Sequence, residues 1–239
     1  MNVTKRFNMR IASYNIRKSV GLDWKRSPQR ILKVLREISA DIVVLQEVDR
    51  RSGARQSTLP ARIDPDGLNY TYVDIAVRPR SYGWHGNAIL FGPHYEQISC
   101  ERIELPTFEP RGAVTALFQN ENGQKFRIIG AHLALQKSMR AKQATVLCDY
   151  MNALPDDIPC ILAGDFNEWR LHGAAGEVFE DEFTLLTPGP SFHTSRPTLP
   201  LDRFVITPTI EPAEYGVFTS ETTRKASDHL PIYLDIKSL

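Results

Sequence analysis

The apolar run Cys160-Ile161-Leu162-Ala163 ends in Gly164-Asp165-Phe166-Asn167, so a carboxylate and an amide arrive where the run stops. A run this short, bounded by Pro159 and Gly164, reads as a buried strand rather than a helix. In open α/β sheets, ligands collect beyond such strand ends. Taken alone, Asp165 would start a turn and Asn167 would cap the next segment, as these residues often do. The pattern repeats, however. Asn15 ends the run from Met9, Glu47 ends the run from Asp41, and His132 ends the run from Lys125. Asp202 opens another run, and Ser227-Asp228-His229 immediately precedes the last one. Turn chemistry draws chiefly on Gly, Pro and small polar residues. A repeated supply of carboxylate, amide and imidazole therefore points to one shared cleft. Oxygen ligands with few thiols suit a hard cation, Mg²⁺ or Mn²⁺, which uses one or two carboxylates and keeps its waters for a phosphate. No His-x-x-x-His or Cys-x-x-Cys spacing points to zinc.

The elements that must place these residues follow from periodicity. Met9 to Asn15 and Asp41 to Glu47 read as strands flanking a helix that opens at Pro28, with Ile31, Leu32, Leu35 and Ile38 at helical spacing. Strand, helix, strand suggests an α/β layer arrangement. Further strands are expected at Tyr70 to Val77, Asn87 to Phe91, Glu96 to Leu105, Gly112 to Phe118 and Lys125 to Ala131, with Asn122-Gly123 as a hairpin turn. Gln136 to Leu154 is the longest helix candidate and feeds the Cys160 strand. Strands at Leu201 to Ile206, Tyr215 to Phe218 and Pro231 to Ile236 follow a Pro-rich loop, Thr187 to Pro200. No repeat or linker interrupts the pattern, so residues 1–239 are expected to form one domain.

At 239 residues the chain can bury a sizeable core. Apolar residues at 42% and charged residues at 24% exclude a disordered chain. The net charge of +1 gives no global sign of a polyanionic partner. Bases are unevenly spread, though: the ten between Lys5 and Arg36 meet a single acid, Asp23. Arg50, Arg51, Arg55 and Arg62 form a second cluster, and Arg78 and Arg80 a third. Such clusters are solvated surface unless a chemical site lies beside them. Three cysteines, Cys100, Cys148 and Cys160, lack metal-ligand spacing and point to free thiols in the cytoplasm. The first ten residues lack the apolar core of a secretory signal, and no run approaches the about 20 apolar residues of a membrane span.

Eight stretches together resemble the endonuclease/exonuclease/phosphatase, or DNase I-like, superfamily. They are Ser13-Tyr14-Asn15, Leu45-Gln46-Glu47, Gly86-Asn87-Ala88-Ile89-Leu90, Arg111-Gly112-Ala113-Val114, Ala131-His132-Leu133, Gly164-Asp165-Phe166-Asn167, Leu201-Asp202-Arg203 and Ser227-Asp228-His229-Leu230-Pro231. They run in the family's order over nearly the whole chain. The resemblance implies a four-layer α/β sandwich, two mixed β-sheets packed face to face with helices outside. It also implies metal-assisted, in-line hydrolysis of a phosphoester. Glu47 would be the principal metal ligand, with Asn15 and Asp228 beside it. Asp165 would orient or deprotonate the attacking water, and Asn167 would hold the phosphate. His229, its tautomer fixed by Asp202, would bond the phosphoryl oxygen or share proton transfer. His132 would bind phosphate or assist the leaving group, and Asn87 and Arg111 would support substrate binding.

Family nucleases of the abasic-site type carry an acid two residues after the first Asn, where this chain has Arg17, so their extra carboxylate ligand is missing. His132 instead resembles the DNase I and sphingomyelinase side of the family. His85, His94, His172 and His193 fall in loops and rank lower, with His85 first among them. DNA or RNA is the leading substrate class, favoured by the Arg clusters and by Trp24, Tyr82 and Trp84 as stacking groups. A phospholipid met through Tyr82-Gly83-Trp84, or a small phosphate ester, is the alternative; a non-catalytic binding module is the rival from another class. A monomer is the default expectation.

Overall fold

A computed structural model describes residues 9–64, 67–107, 111–171 and 173–239. Lys5 and His172, named above, lie outside that set. The strands are β1 (Met9–Asn15), β2 (Ile42–Gln46), β3 (Thr71–Tyr72), β4 (Ala88–Phe91), β5 (Tyr95–Glu104), β6 (Gly112–Asn120), β7 (Lys125–His132), β8 (Cys160–Asp165), β9 (Thr184–Leu186), β10 (Asp202–Ile206), β11 (Glu211–Val217) and β12 (Ile232–Ser238). The helices are α1 (Pro28–Ile38), α2 (Lys137–Asn152), α3 (Ala174–Glu177) and α4 (Thr223–Ala226). One sheet has the order β11-β12-β1-β2-β4-β3 and the other β5-β6-β7-β8-β10-β9. Both are mixed: β1 and β2 run parallel, as do β7 and β8, while the other pairs are antiparallel.

Strand alternation accounts for the layers. Side chains two apart share a face, so Ile11, Val44, Ile89 and Leu234 of one sheet meet Val114, Ile128, Ile161 and Phe204 of the other in a central core. The intervening residues, Ala12, Tyr14, Val43 and Leu45, pack under α1. Ile129, Leu162 and Val205 pack under α2. The result is the expected sandwich, helix, sheet, sheet, helix. At Gly130 the sheets come so close that a Cβ would lie 2.7 Å from Val44 Cγ1. At Gly164 a Cβ would overlap the Ala131 carbonyl oxygen, so only glycine fits before Asp165.

Pro28 sits in the first turn of α1, and Ile31, Val34, Leu35 and Ile38 fill its buried face. Val34 takes the place expected for Leu32, which is only half buried. Gly123, at φ +81, closes the β6–β7 hairpin as Asn-Gly predicts. The expected strand from Tyr70 to Val77 shrinks to two residues, Thr71 and Tyr72. Beyond them Val73 bonds Ile89 and Ile75 N–H turns back onto the Val73 carbonyl, so the apolar run packs into the core without continuing the ladder. All three cysteines are free thiols. Among the described residues, no helix is long and apolar enough to cross a membrane.

Candidate active site

The inner-face rows of the sheets end in polar residues. Along β8, Ile161 and Ala163 point into the central core, so the next inward position is Asp165. Along β7 the inward series is Ile128, Gly130, His132; along β10 it is Ile206, Phe204, Asp202. Register then aligns them, because His132 pairs with Asp165 across the parallel ladder and Asp202 pairs with Asp165 across the antiparallel one. Three neighbouring strands thus offer imidazole, carboxylate and carboxylate in one row. From the opposite sheet, β1 continues Met9, Ile11, Ser13 to Asn15, whose Nδ2 donates to Asp165 Oδ2 at 3.0 Å.

Asp165 is the hub. Its Oδ1 accepts the Asn167 backbone N–H at 2.9 Å, and its Oδ2 lies 3.4 Å from His132 Nε2 and 3.6 Å from His229 Nε2. His229 Nδ1 is 2.8 Å from Asp202 Oδ2, which also accepts the Ser191 hydroxyl at 2.5 Å. Ser227 Oγ donates to the Asn15 carbonyl at 2.7 Å, and Leu230 N–H donates to the Ser191 carbonyl, so the segment around His229 is tied at both ends. Except for the half-buried Asn167, the residues that carry these groups are buried.

The two imidazoles differ in charge. Burial disfavours the cation at both. At His132 burial wins over the attraction of Asp165, helped by the nearby charge of Arg111, and its pKa falls to about 3. At His229, burial is outweighed by Asp202, Asp165 and Asp228, and the pKa rises to about 10. One carboxylate therefore faces a neutral imidazole and an imidazolium at neutral pH.

Across from this row lie Glu47 and Asp228. Alternation along β2 sends Gln46 inward, where its Nε2 bonds Ser13 Oγ at 3.1 Å. Glu47 would then face α1, but a left-handed backbone, φ +55, breaks the alternation there. Its carboxylate pairs with the Lys18 ammonium and lies 3.7 Å from an Arg51 nitrogen. Asp228 Oδ2 lies 3.2 Å from Arg17 Nε. Asn15 links the two groups of residues: its Nδ2 donates to Asp165 while its Oδ1 accepts the backbone N–H of Arg17, whose guanidinium pairs with Asp228.

Two donor sets invite a metal. Asp165, Asp202 and His229 bring ligand atoms within 4.8 Å of one another. His229 Nδ1, however, is already engaged by Asp202, and the surrounding carboxylates raise its pKa and favour the imidazolium, which has no lone pair to give. Glu47 and Asp228 are half-exposed oxygen donors, and each already faces a cationic side chain. Lys18 stands on Glu47 where a hard cation would stand, so this set fits Mg²⁺ or Mn²⁺ by charge and donor type.

The remaining expected residues sit close by. Asn167, at φ +51, donates through Nδ2 to the Leu133 carbonyl at 2.9 Å, which leaves one amide hydrogen for a ligand. Asn87 Nδ2 donates to Gly112 O at 2.8 Å, next to Arg111, while its buried Oδ1 has no partner among the described residues. Behind the row, Arg140 of α2 pairs with Glu168 at 3.1 Å and bonds the Leu135 carbonyl, and Arg203 bonds the carbonyls of Glu168, Arg170 and Leu171. These arginines fix the loops that follow His132 and Asn167. His85 packs its ring on Trp84, His94 pairs with Glu121 and His193 with Ser195. Trp84, expected as a stacking group, is instead 7% exposed because its ring fills the space a Gly112 side chain would take. Tyr82 stacks on Tyr72 at 4.7 Å. Two of the three rings expected to meet nucleic acid, the same two expected to meet a membrane, are thus largely spent on packing.

Sequence reasoning missed Ser191 and Lys18. Ser191 lay in a loop read only as Pro-rich, and no local signal marks it. Lys18 was one base in a cluster, although its place three residues after Asn15 was the available hint.

Aspartates and histidines from neighbouring strand ends thus gather on one side of two stacked mixed sheets. Residues 12–229 match the Endonuclease/Exonuclease/phosphatase family, and the chain belongs to it. Family members are metal-dependent hydrolases acting on phosphoester bonds. The chain is 30% identical to the "Uncharacterized protein YbhP" of Escherichia coli (strain K12), over 98% of each sequence. Among solved structures it resembles an endonuclease/exonuclease/phosphatase from Bacteroides vulgatus, with a TM-score of 0.77 at 19% identity over 97% of this chain and 99% of that one. It also resembles D. rerio TDP2 complexed with single strand DNA product, with a TM-score of 0.73 at 20% identity over 96% and 99% of the two chains.

Proposed function

We propose that this chain is a Mg²⁺- or Mn²⁺-dependent phosphodiesterase in which water attacks phosphorus in line. The observation that carries this reading is the buried row His132, Asp165, Asp202, closed by His229. It sets a carboxylate between a neutral and a charged imidazole, the arrangement needed to take one proton while another is offered. A bound divalent ion would polarise a phosphoryl oxygen and neutralise developing charge. Glu47 and Asp228 would hold it. Asn15 stands beside them, its Oδ1 accepting Arg17 N–H while its Nδ2 bonds Asp165.

Asp165 accepts the proton of the attacking water, its orientation fixed by Asn15 and the Asn167 backbone. The imidazolium of His229, held by Asp202, hydrogen-bonds a phosphoryl oxygen and stabilises charge there. Neutral His132 donates one hydrogen bond to the phosphate or to the leaving oxygen. Asn167 contributes its remaining amide hydrogen, and Arg111 and Asn87 line the approach. Nucleic acid is the favoured substrate class, supported by the basic residues beside Asn15 and Glu47 and by the DNA product held by the TDP2 relative. A phospholipid is the second reading, favoured by Leu135, Trp169 and Leu171, which are 72%, 60% and 62% exposed on loops leaving the catalytic strands.

The test is hydrolysis of bis-p-nitrophenyl phosphate with Mg²⁺ or Mn²⁺. Asp165→Asn and His229→Asn should abolish turnover while melting curves stay cooperative. Turnover by either variant at the wild-type rate would overturn the assignment.

A further inference from the structure

Trp24 is 78% exposed, the most exposed large apolar side chain among the described residues. A scattered exposed tryptophan means little by itself, but this one is built in place. It adopts φ +59, a conformation costly for a bulky residue and one that concentrates at functional sites. The turn that imposes it is rigid: Trp24 N–H bonds the Gly21 carbonyl at 3.0 Å, Gly21 N–H bonds the Lys25 carbonyl at 3.1 Å, and Val20 pairs with Arg26. Leu22 N–H bonds the carbonyl of Lys225 at 3.2 Å, two residues before Ser227, so the turn is anchored to the segment carrying Asp228 and His229.

The Arg17 guanidinium lies 4.5 Å from the centroid of the Trp24 ring, and Arg17 Nε lies 3.2 Å from Asp228 Oδ2. A single guanidinium therefore links the ring to a carboxylate of the candidate metal site. It covers one face of the indole, fixing its plane, and leaves the other to solvent. The surroundings are cationic. Asp23 is taken up by Arg30 at 3.0 Å, while Arg26 donates through Nε to the Lys18 carbonyl at 3.1 Å and neither it nor Lys25 pairs with a carboxylate among the described residues. A flat, oriented aromatic face bordered by cations that no carboxylate neutralises is the combination that binds single-stranded nucleic acid, where bases stack and the backbone tracks positive charge.

Resting on the phosphodiesterase reading above, we propose that Trp24, backed by Arg17, is a stacking subsite for a nucleobase flanking the scissile phosphate, and that the substrate is a single-stranded nucleic acid. Lys25 and Arg26 hold the neighbouring phosphates. Of the three rings that the sequence offers for stacking, Trp24, Tyr82 and Trp84, the proposal keeps Trp24.

The test is binding of a short labelled oligothymidylate to the full chain by fluorescence anisotropy in EDTA, with an abasic oligomer of equal length as control. Trp24→Ala should weaken oligothymidylate binding about 5- to 150-fold, the range for losing one base stack. Its affinity for the abasic oligomer should match wild type, because the phosphates remain. Trp24→Phe should fall between, and Trp169→Phe should bind like wild type. Lys25→Gln/Arg26→Gln should lower the salt slope by about one to two. Equal affinity of wild type and Trp24→Ala for oligothymidylate would overturn the proposal. So would equal loss on the abasic oligomer, or Trp24-dependent partition into phosphatidylglycerol vesicles with no oligomer binding. The two readings fail separately. Trp24-dependent binding without metal-dependent cleavage of any phosphodiester would sink the hydrolase reading alone, whereas cleavage with Trp24-independent binding would sink the subsite alone.

Discussion

On one wall of the cleft, Asp165 and Asp202 are 1% and 0% exposed, and their partners are short, fixed groups: an amide, a hydroxyl, a backbone N–H and two imidazoles. On the other, the side chains of Glu47 and Asp228 remain 18% and 21% exposed, and their partners are the long cationic side chains of Lys18, Arg51 and Arg17. Both walls place carboxylates opposite cations, but only the first removes them from water. Buried pairs are weakly screened and geometrically fixed, while half-exposed pairs with long partners exchange readily. The buried wall is therefore suited to holding protons at set positions. The open wall is suited to exchanging one cation for another.

The sharpest way to break this contrast is to neutralise the buried wall. Asp202→Asn leaves His229 without its charged partner, and kcat for bis-p-nitrophenyl phosphate should fall about 10²- to 10⁴-fold, the usual worth of a positioned acid or base. A fall of less than tenfold would mean the pair is structural. Next comes the buried pair that supports the wall from behind. Arg140→Met strands Glu168, which is 2% exposed, and should cost about 3–5 kcal/mol in urea unfolding. A cost under about 1 kcal/mol, the range of exposed pairs, would erase the distinction between buried and open ion pairs.

The two histidines give a contrast of sign. His229 has its folded pKa raised from 6.5 to about 10, so its contribution to stability is complete below pH 6.5 and is lost as pH rises toward 10. His132 is depressed from 6.5 to about 3, so its contribution is complete above pH 6.5 and is lost as pH falls toward 3. In EDTA, the Tm difference between wild type and His229→Asn should narrow from pH 7 to 10. The difference for His132→Asn should narrow from pH 7 to 4. Slopes of the same sign for both variants would contradict the opposed protonation states. The smallest effect belongs to the open wall. Lys18→Met removes a competitor for Glu47 and should tighten Mn²⁺ binding by isothermal titration about fivefold, the equivalent of about 1 kcal/mol. Weaker binding instead would show that Lys18 does not compete for the site.

Much of the buried wall was legible in the chain, because alternation is local. Once Ile161 and Ala163 are read as one face of a strand, Asp165 must share it, and the same holds for Asp202 with Phe204. The open wall was legible only in its residue types. Glu47 turns into the cleft through a left-handed backbone, which no pattern of apolar residues announces. Its pairing with Lys18 spans 29 positions and depends on how the segment after β1 folds back. The tryptophans were separated by tertiary packing alone: Gly112 opens the space that buries Trp84, while a turn at Gly21 lifts Trp24 into solvent.

The sequence by itself determined which chemical groups stand at the strand ends, and in what order, since strand period and the composition of short apolar runs are properties of neighbouring residues. Only the tertiary structure decided which carboxylates are dry and which are wet, that the pKa of His132 is lowered while that of His229 is raised, and which tryptophan ring stays exposed. Those outcomes depend on burial and on charges brought together from distant positions. Desolvation and Coulomb attraction act through space rather than along the chain.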